Sequence, residues 1–221
     1  MIIGRGLIAK AFEQYKEDDD VVVFSSGVSN SSETRESEFE REESLLRSNL
    51  ASDRKFIYFS TVSVADGSHE SPYIKHKAKM ERIISENHDN YLIFRIPIVV
   101  GHNANKITFF NSIKEKICNG EELKVFSVGR YLIDIDDLTK TLPALIGGTS
   151  EKNKTINICF DNFSSAKEII ERMEFYLGRS VKKTYIDCDS NVKVDNFYFN
   201  SLFETPDRYN EIIYQKYLTC E

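Results

Sequence analysis

Two hydrophobic periods alternate along the chain. Val21-Val22-Val23-Phe24 is an unbroken apolar run, the pattern of a strand covered on both faces of a parallel sheet. Ile2-Ile3, Lys55 to Ser60 and Tyr91 to Ile96 read as further strands, the last stopped by Pro97. Between them the period lengthens. Leu7, Ile8, Ala11, Phe12 and Tyr15 share one face of a helix predicted over Leu7 to Tyr15. The polar stretch Ser25 to Glu38 leads into a charged helix with Phe39, Leu45, Leu46 and Leu50 as its apolar side, and Tyr73 to Ser85 reads as the next helix. Strand and helix thus alternate over the first hundred residues, which predicts a right-handed, doubly wound α/β sheet.

The second half continues with a helix over Thr108 to Cys118, a helix that Asp136 or Asp137 would cap, and a strand over Thr155 to Phe160. An amphipathic helix from Ser164 to Leu177 ends at Gly178, followed by a strand over Val181 to Ile186 and a last helix over Pro206 to Leu218. Phe197, Tyr198, Phe199 and Phe203 make this end aromatic, which fits packing or a substrate rim.

Composition narrows the class. The 221 residues include 41% hydrophobic and 12% aromatic side chains, enough for a packed core and against global disorder. Lys and Arg number 29 against 35 Asp and Glu, a net charge of -6 without a basic block, so no general nucleic-acid binder is expected. The apolar runs are too short for a bilayer, and the start Met1-Ile2-Ile3-Gly4 has no basic leader. Cys118, Cys159, Cys188 and Cys220 form no C-x-x-C pair and read as free thiols, so a cytoplasmic location is expected.

Two segments carry chemistry. Gly4-Arg5-Gly6-Leu7-Ile8-Ala9 is a G-x-G-x-x-A between a strand and a helix. In that setting the glycines let backbone N–H groups approach a pyrophosphate, the helix N-terminus adds a favourable dipole, and Ala9 permits close packing. Alone, the segment also fits an ordinary glycine turn, and Arg5 suits a phosphate, especially a 2′-phosphate, as well as it suits solvent. Tyr73-Ile74-Lys75-His76-Lys77 is a Y-x-x-x-K that sets a phenol and an ammonium on one helix face, after a strand ending in Ser60-Thr61. An ammonium nearby lowers a phenol's pKa and makes it a usable acid or base.

The order of these segments resembles the short-chain dehydrogenase/reductase superfamily, in its extended branch of nucleotide-sugar epimerases, dehydratases and reductases. The resemblance spans residues 1 to about 140. It includes Phe59 to Val64, Phe94 to Gly101, and Arg130-Tyr131-Leu132-Ile133-Asp134-Ile135-Asp136-Asp137-Leu138, which is similar to the branch's R-x-x-I-x-V-x-D signature. The resemblance implies a shortened Rossmann-like domain over residues 1–150, followed by a small C-terminal substrate-binding portion over 151–221. It implies that Gly4, Arg5, Gly6, Leu7, Ile8 and Ala9 hold the phosphates of NAD or NADP, with Ser25, Ser26, Gly27, Ser60, Lys77 and Pro97 completing the cofactor site. Thr61, Tyr73 and Lys77 would be catalytic, Tyr73 as proton donor or acceptor. Arg130, Asn103 and Asn105 would face a nucleotide sugar, and a homodimer would be compatible.

Departures from the branch are also legible. There is no room for the two strands that normally follow the glycine helix, and with them goes the ribose-binding acid about 20 residues on. Val62 and Ser63 stand where the 4,6-dehydratases carry an Asp-Glu pair, which disfavours dehydration. The other expectations are plain ones: His76 exposed, with His69 beside the tyrosine; His88 and His102 without metal partners; the Glu36 to Glu43 face solvated; Asp134, Asp136 and Asp137 a turn and helix cap. The choice is between an NAD(P)-dependent epimerase or reductase and a non-catalytic nucleotide-binding or scaffolding protein with a degenerate pocket.

Overall fold

The computed structural model describes residues 1–65, 71–102, 104–148, 151–186 and 194–218. Its elements are β1 (Ile2–Ile3), α1 (Leu7–Ala11), β2 (Val21–Phe24), α2 (Glu36–Asn49), β3 (Lys55–Thr61), α3 (Pro72–Asn87), β4 (Tyr91–Ile96), β5 (Ile98–Val100) and α4 (Phe109–Asn119). There follow β6 (Leu123–Phe126), β7 (Leu132–Asp134), α5 (Ile135–Gly147), β8 (Lys154–Asn157), α6 (Ala166–Leu177), β9 (Lys183–Ile186), α7 (Phe197–Leu202) and α8 (Tyr209–Tyr217).

Five strands form one parallel sheet in the order β1-β2-β3-β4-β8. The fold is α/β with a Rossmann-like parallel sheet. Two short parallel pairs, β5 with β7 and β6 with β9, stand beside it. Strand side chains alternate between two cores. Val23, Ile57, Phe59, Leu92 and Phe94 point to the core that also takes Phe12, Leu138 and Leu142. Val22, Phe24, Phe56, Tyr58 and Ile93 point to the other, with Leu46, Leu50, Met80 and Ile84 from α2 and α3. This double coverage explains why Val21 to Phe24 is apolar at every position.

The two faces also fix the hand of the first connection. β1, β2, β3 and β4 are parallel neighbours in chain order, yet α1 packs on one face while α2 and α3 pack on the other. The β1–α1–β2 crossover therefore has the opposite hand to the two that follow it, an uncommon arrangement. It results from joining α1 directly to β2, with no intervening strands to return the chain.

The details correct the sequence expectations in places. The first helix is only Leu7–Ala11, with a 3-10 turn at Glu13–Tyr15 completing the apolar face. Asp134, rather than Asp136 or Asp137, caps α5: its carboxylate accepts the Asp136 N–H at 2.9 Å. Lys216 and Tyr217 of α8 then bind Asp134, locking the chain's last helix to that cap. α6 ends at Gly178 in the left-handed conformation, φ 62°, as the glycine predicted. Phe199 is buried, whereas Phe197 is exposed.

Phe94 lies inside the sheet, between β3 and β8, with no exposure, against Phe59 at 6.1 Å between rings. Phe94→Ala is expected to lower the unfolding free energy by about 3–5 kcal/mol, measured by urea denaturation.

Candidate functional site

The connections after β1 and β2 leave for opposite faces, and a crevice opens between them. Gly4, with φ 135°, makes this crevice possible: any side chain there would meet the Ser25 carbonyl oxygen at 2.7 Å. Ser25 closes the join from the other side, its N–H and hydroxyl both donating to the Ile3 carbonyl at 2.8 and 3.1 Å. A cleft of about 630 Å³ runs from this point across the ends of β3 and β4.

Arg5, Gly6, Leu7, Ile8, Ser25, Ser26, Gly27, Ser60, Thr61, Tyr73, Lys77, Pro97, Asn105 and Arg130 all line it, so those expected site residues are brought together. Ala9 is buried behind the turn, and Asn103, like His69, Cys188 and Cys220, lies outside the described residues. Cys118 and Cys159 are free thiols, and the described residues hold no cluster suited to a metal. The lining includes five cations, Arg5, Lys10, Arg41, Lys77 and Arg130, and no carboxylate among the described residues. In a chain of net charge -6 this is a local inversion of sign that favours an anionic ligand.

At one end Ser71 caps α3, accepting the Ile74 N–H at 3.2 Å, and Pro72 opens the first turn. This start sets Tyr73, half-buried, beside Thr61 at the end of β3, to which it is hydrogen-bonded. Lys77, one turn on, is buried, its ammonium 5.9 Å from the centre of the Tyr73 ring. The Ser60 hydroxyl, by contrast, is committed to Glu81 at 2.5 Å, which in turn pairs with Arg95.

The residue that organises this end was expected to be solvent-facing. Glu42, on α2, has no exposure. Its carboxylate accepts the Val28 N–H at 2.6 Å, the Tyr58 hydroxyl at 2.7 Å and the Lys77 ammonium at 2.9 Å, with His76 Nε2 at 3.1 Å. Lys77 also donates to Tyr58 at 3.1 Å. Two expectations are corrected here: the Glu36 to Glu43 face is not wholly solvated, and His76 is buried, stacked on Phe39 at 4.7 Å. Spacing held the signal. Glu42 lies three residues after Phe39 and four before Leu46, on the same buried stripe.

Burial opposes ionisation of Glu42, yet Lys77, His76, Val28 and Tyr58 together hold its pKa well below the ordinary 4.5. The effect on Tyr73 reverses the simple expectation of a lowered phenol. Desolvation first, then the Glu42 charge, raise its pKa above 10, and the hydrogen bond from Thr61 only partly offsets them. The Lys77 charge is largely neutralised by its partner.

The residues fit the phosphate-bearing part of a dinucleotide. A side chain at Gly6 would meet nothing within 4 Å, so the backbone there faces open space. Gly27 lies against Lys77, where a Cβ would stand 2.5 Å from the ammonium. Lys77 uses two of its three donors on Glu42 and Tyr58, which leaves one for a ligand. At five residues, α1 adds little dipole, and the cations supply the charge instead.

Solved structures share this architecture. UDP-glucuronic acid 4-epimerase from Bacillus cereus, in complex with UDP-glucuronic acid and NAD, aligns with a TM-score of 0.68 at 18% identity, over 94% of this chain and 79% of that one. The dTDP-4-dehydrorhamnose reductase from Bacillus anthracis in complex with NADP gives 0.70 at 16%, over 94% and 84%. The dTDP-glucose 4,6-dehydratase from Bacillus anthracis in complex with NAD gives 0.67 at 15%, over 96% and 76%. The chain has the fold of the extended short-chain dehydrogenase/reductases. No protein-family model and no curated protein matches its sequence. Within this fold no helix of the described residues is long and apolar enough to cross a membrane.

Replacing Glu42 by Ala strands a buried lysine, and a loss of about 3–5 kcal/mol in unfolding free energy is expected. Glu42→Met with Lys77→Met together should lose less than Glu42→Ala alone. Because the folded-state pKa of Glu42 is depressed, its contribution is full above pH 4.5 and is lost as pH falls below it. Chemical denaturation of the wild type and both variants between pH 7 and pH 4 measures both effects.

Proposed function

We propose that this protein is an NAD(P)-dependent oxidoreductase of nucleotide sugars, of the epimerase or reductase type, in which Tyr73 donates the proton of the reducing step. The observation that carries this reading is the meeting of Thr61, Tyr73 and Lys77 at one end of a cleft lined by cations and no carboxylate. Gly4 to Ala9 and Ser25 to Gly27 would hold the phosphates, Lys77 a ribose hydroxyl, and Pro97 the side of the nicotinamide. When bound, the nicotinamide supplies a hydride. Arg130, its guanidinium 4.7 Å above the Phe109 ring, is suited to the substrate's diphosphate.

In this scheme Tyr73 keeps its proton until a carbonyl oxygen is seated between it and Thr61. As negative charge develops on that oxygen, Thr61 donates a hydrogen bond and Tyr73 transfers its proton. Solvent reprotonates the phenolate that remains. A raised phenol pKa suits this direction: the donor is loaded throughout the neutral range. Oxidation of an alcohol would instead need the scarce phenolate. Neither Val62 nor Ser63 supplies the acid–base pair for eliminating water. The scaffolding alternative draws on one observation, the pairing of Lys77 with Glu42, and predicts no hydride transfer at all.

Tyr73→Phe is expected to retain fold and ligand affinity and to lose at least about a hundredfold in turnover of a keto-sugar nucleotide. The wild-type reduction rate should stay level from pH 6 to pH 9, while oxidation rises by about tenfold per pH unit. Nicotinamide absorbance in both directions provides the check. A fully active Tyr73→Phe, or oxidation independent of pH, contradicts the reading.

A further inference from the structure

The main sheet stops at β1, and no strand among the described residues pairs with its outer edge. Dinucleotide-binding sheets are built from two mononucleotide-binding halves that meet where successive connections leave for opposite faces. That meeting point is present here, since α1 and α2 lie on opposite faces. One half of the floor is also present: beyond β2 the sheet continues under Ser60, Thr61 and Pro97. Beyond β1 the described residues supply no floor of strands.

Positive charge lines the cleft around the glycine turn. Arg5 and Lys10, both exposed, line the cleft around the glycine turn, and Arg41 reaches it from α2. Both terminal nitrogens of Arg41 lie 3.3 Å from the Ser26 carbonyl oxygen and its Nε pairs with Glu38 at 3.2 Å, so its guanidinium is anchored at the mouth of the crevice with part of its charge already answered. Cations that flank a glycine turn suit a phosphate group. A phosphate monoester, with about −1.5 to −2 charges at neutral pH, answers Arg5 and Lys10, with the partly compensated Arg41 beside them, better than one phosphate of a pyrophosphate.

We infer that the cleft recognises a single nucleotide: it seats the nicotinamide–ribose–phosphate half of the cofactor, with the phosphate against Arg5, Lys10 and Arg41, and gives the adenosine half no seat. This rests on the nicotinamide reading above. An adenosine carried past β1 stays in water and adds little to affinity.

The test compares dissociation constants of the full-length chain for NADH and for reduced nicotinamide mononucleotide, by calorimetry or nicotinamide fluorescence. The two should differ by less than about tenfold, and Arg5→Ala should weaken both by a similar factor of about five. NADH binding more than about tenfold tighter overturns the inference and leaves the nicotinamide site standing. An Arg5→Ala effect confined to NADH also overturns it, since the phosphate contact would then belong to the adenosine side. Binding of neither compound overturns the proposed function and this inference with it.

Discussion

One buried carboxylate holds together the end of the cleft where Thr61, Tyr73 and Lys77 meet. Glu42 joins four parts of the chain that are remote in sequence: α2 itself, the loop after β2 through Val28, β3 through Tyr58, and α3 through His76 and Lys77. A buried ion pair of this kind is weak as a source of net stability and strong as a constraint, because removing either partner leaves an uncompensated charge. It fixes where the Lys77 ammonium ends, 5.9 Å from the centre of the Tyr73 ring. It also bears on the proposed chemistry: with the ammonium paired to Glu42, desolvation and the Glu42 charge keep the phenol protonated, as the proposed reduction requires of Tyr73.

Shortening of the sheet is the second constraint. With α1 leading straight into β2, the first crossover takes the opposite hand from its neighbours. The two connections still part to opposite faces, so the crevice survives the loss of the strands that would have extended it. Gly4 and Ser25 draw the two lips of that crevice together. Thr61, Tyr73 and Lys77 thereby line the cleft on the side of β1 where the sheet continues, and the exposed Arg5 and Lys10 line it at the glycine turn.

Much of this was legible in the amino-acid order. Continuous apolar runs marked the sheet strands, and G-x-G-x-x-A, Ser60-Thr61 and Y-x-x-x-K gave the elements that meet at the cleft, because each depends on local spacing. What depends on tertiary partners was not legible. Glu42 and His76 look like surface residues until α2 and α3 are packed against the sheet, although Glu42 shares the buried stripe of Phe39 and Leu46. The cap of α5 was misplaced by two or three residues because three aspartates compete, and Lys216 and Tyr217 from the far end of the chain favour Asp134. β9 was legible as a strand from Val181 to Ile186, whereas β5, β6 and β7 are too short to show a hydrophobic period.

The most direct test of the Glu42 constraint is side-chain nitrogen NMR of the lysine ammonium groups near neutral pH, with Lys77 assigned by its loss in Lys77→Arg. A buried ammonium held by Glu42 and Tyr58 predicts a distinct Lys77 resonance whose protons exchange slowly with water, and whose exchange becomes fast in Glu42→Gln. A Lys77 signal that exchanges as fast as those of exposed lysines in the wild type would contradict the account.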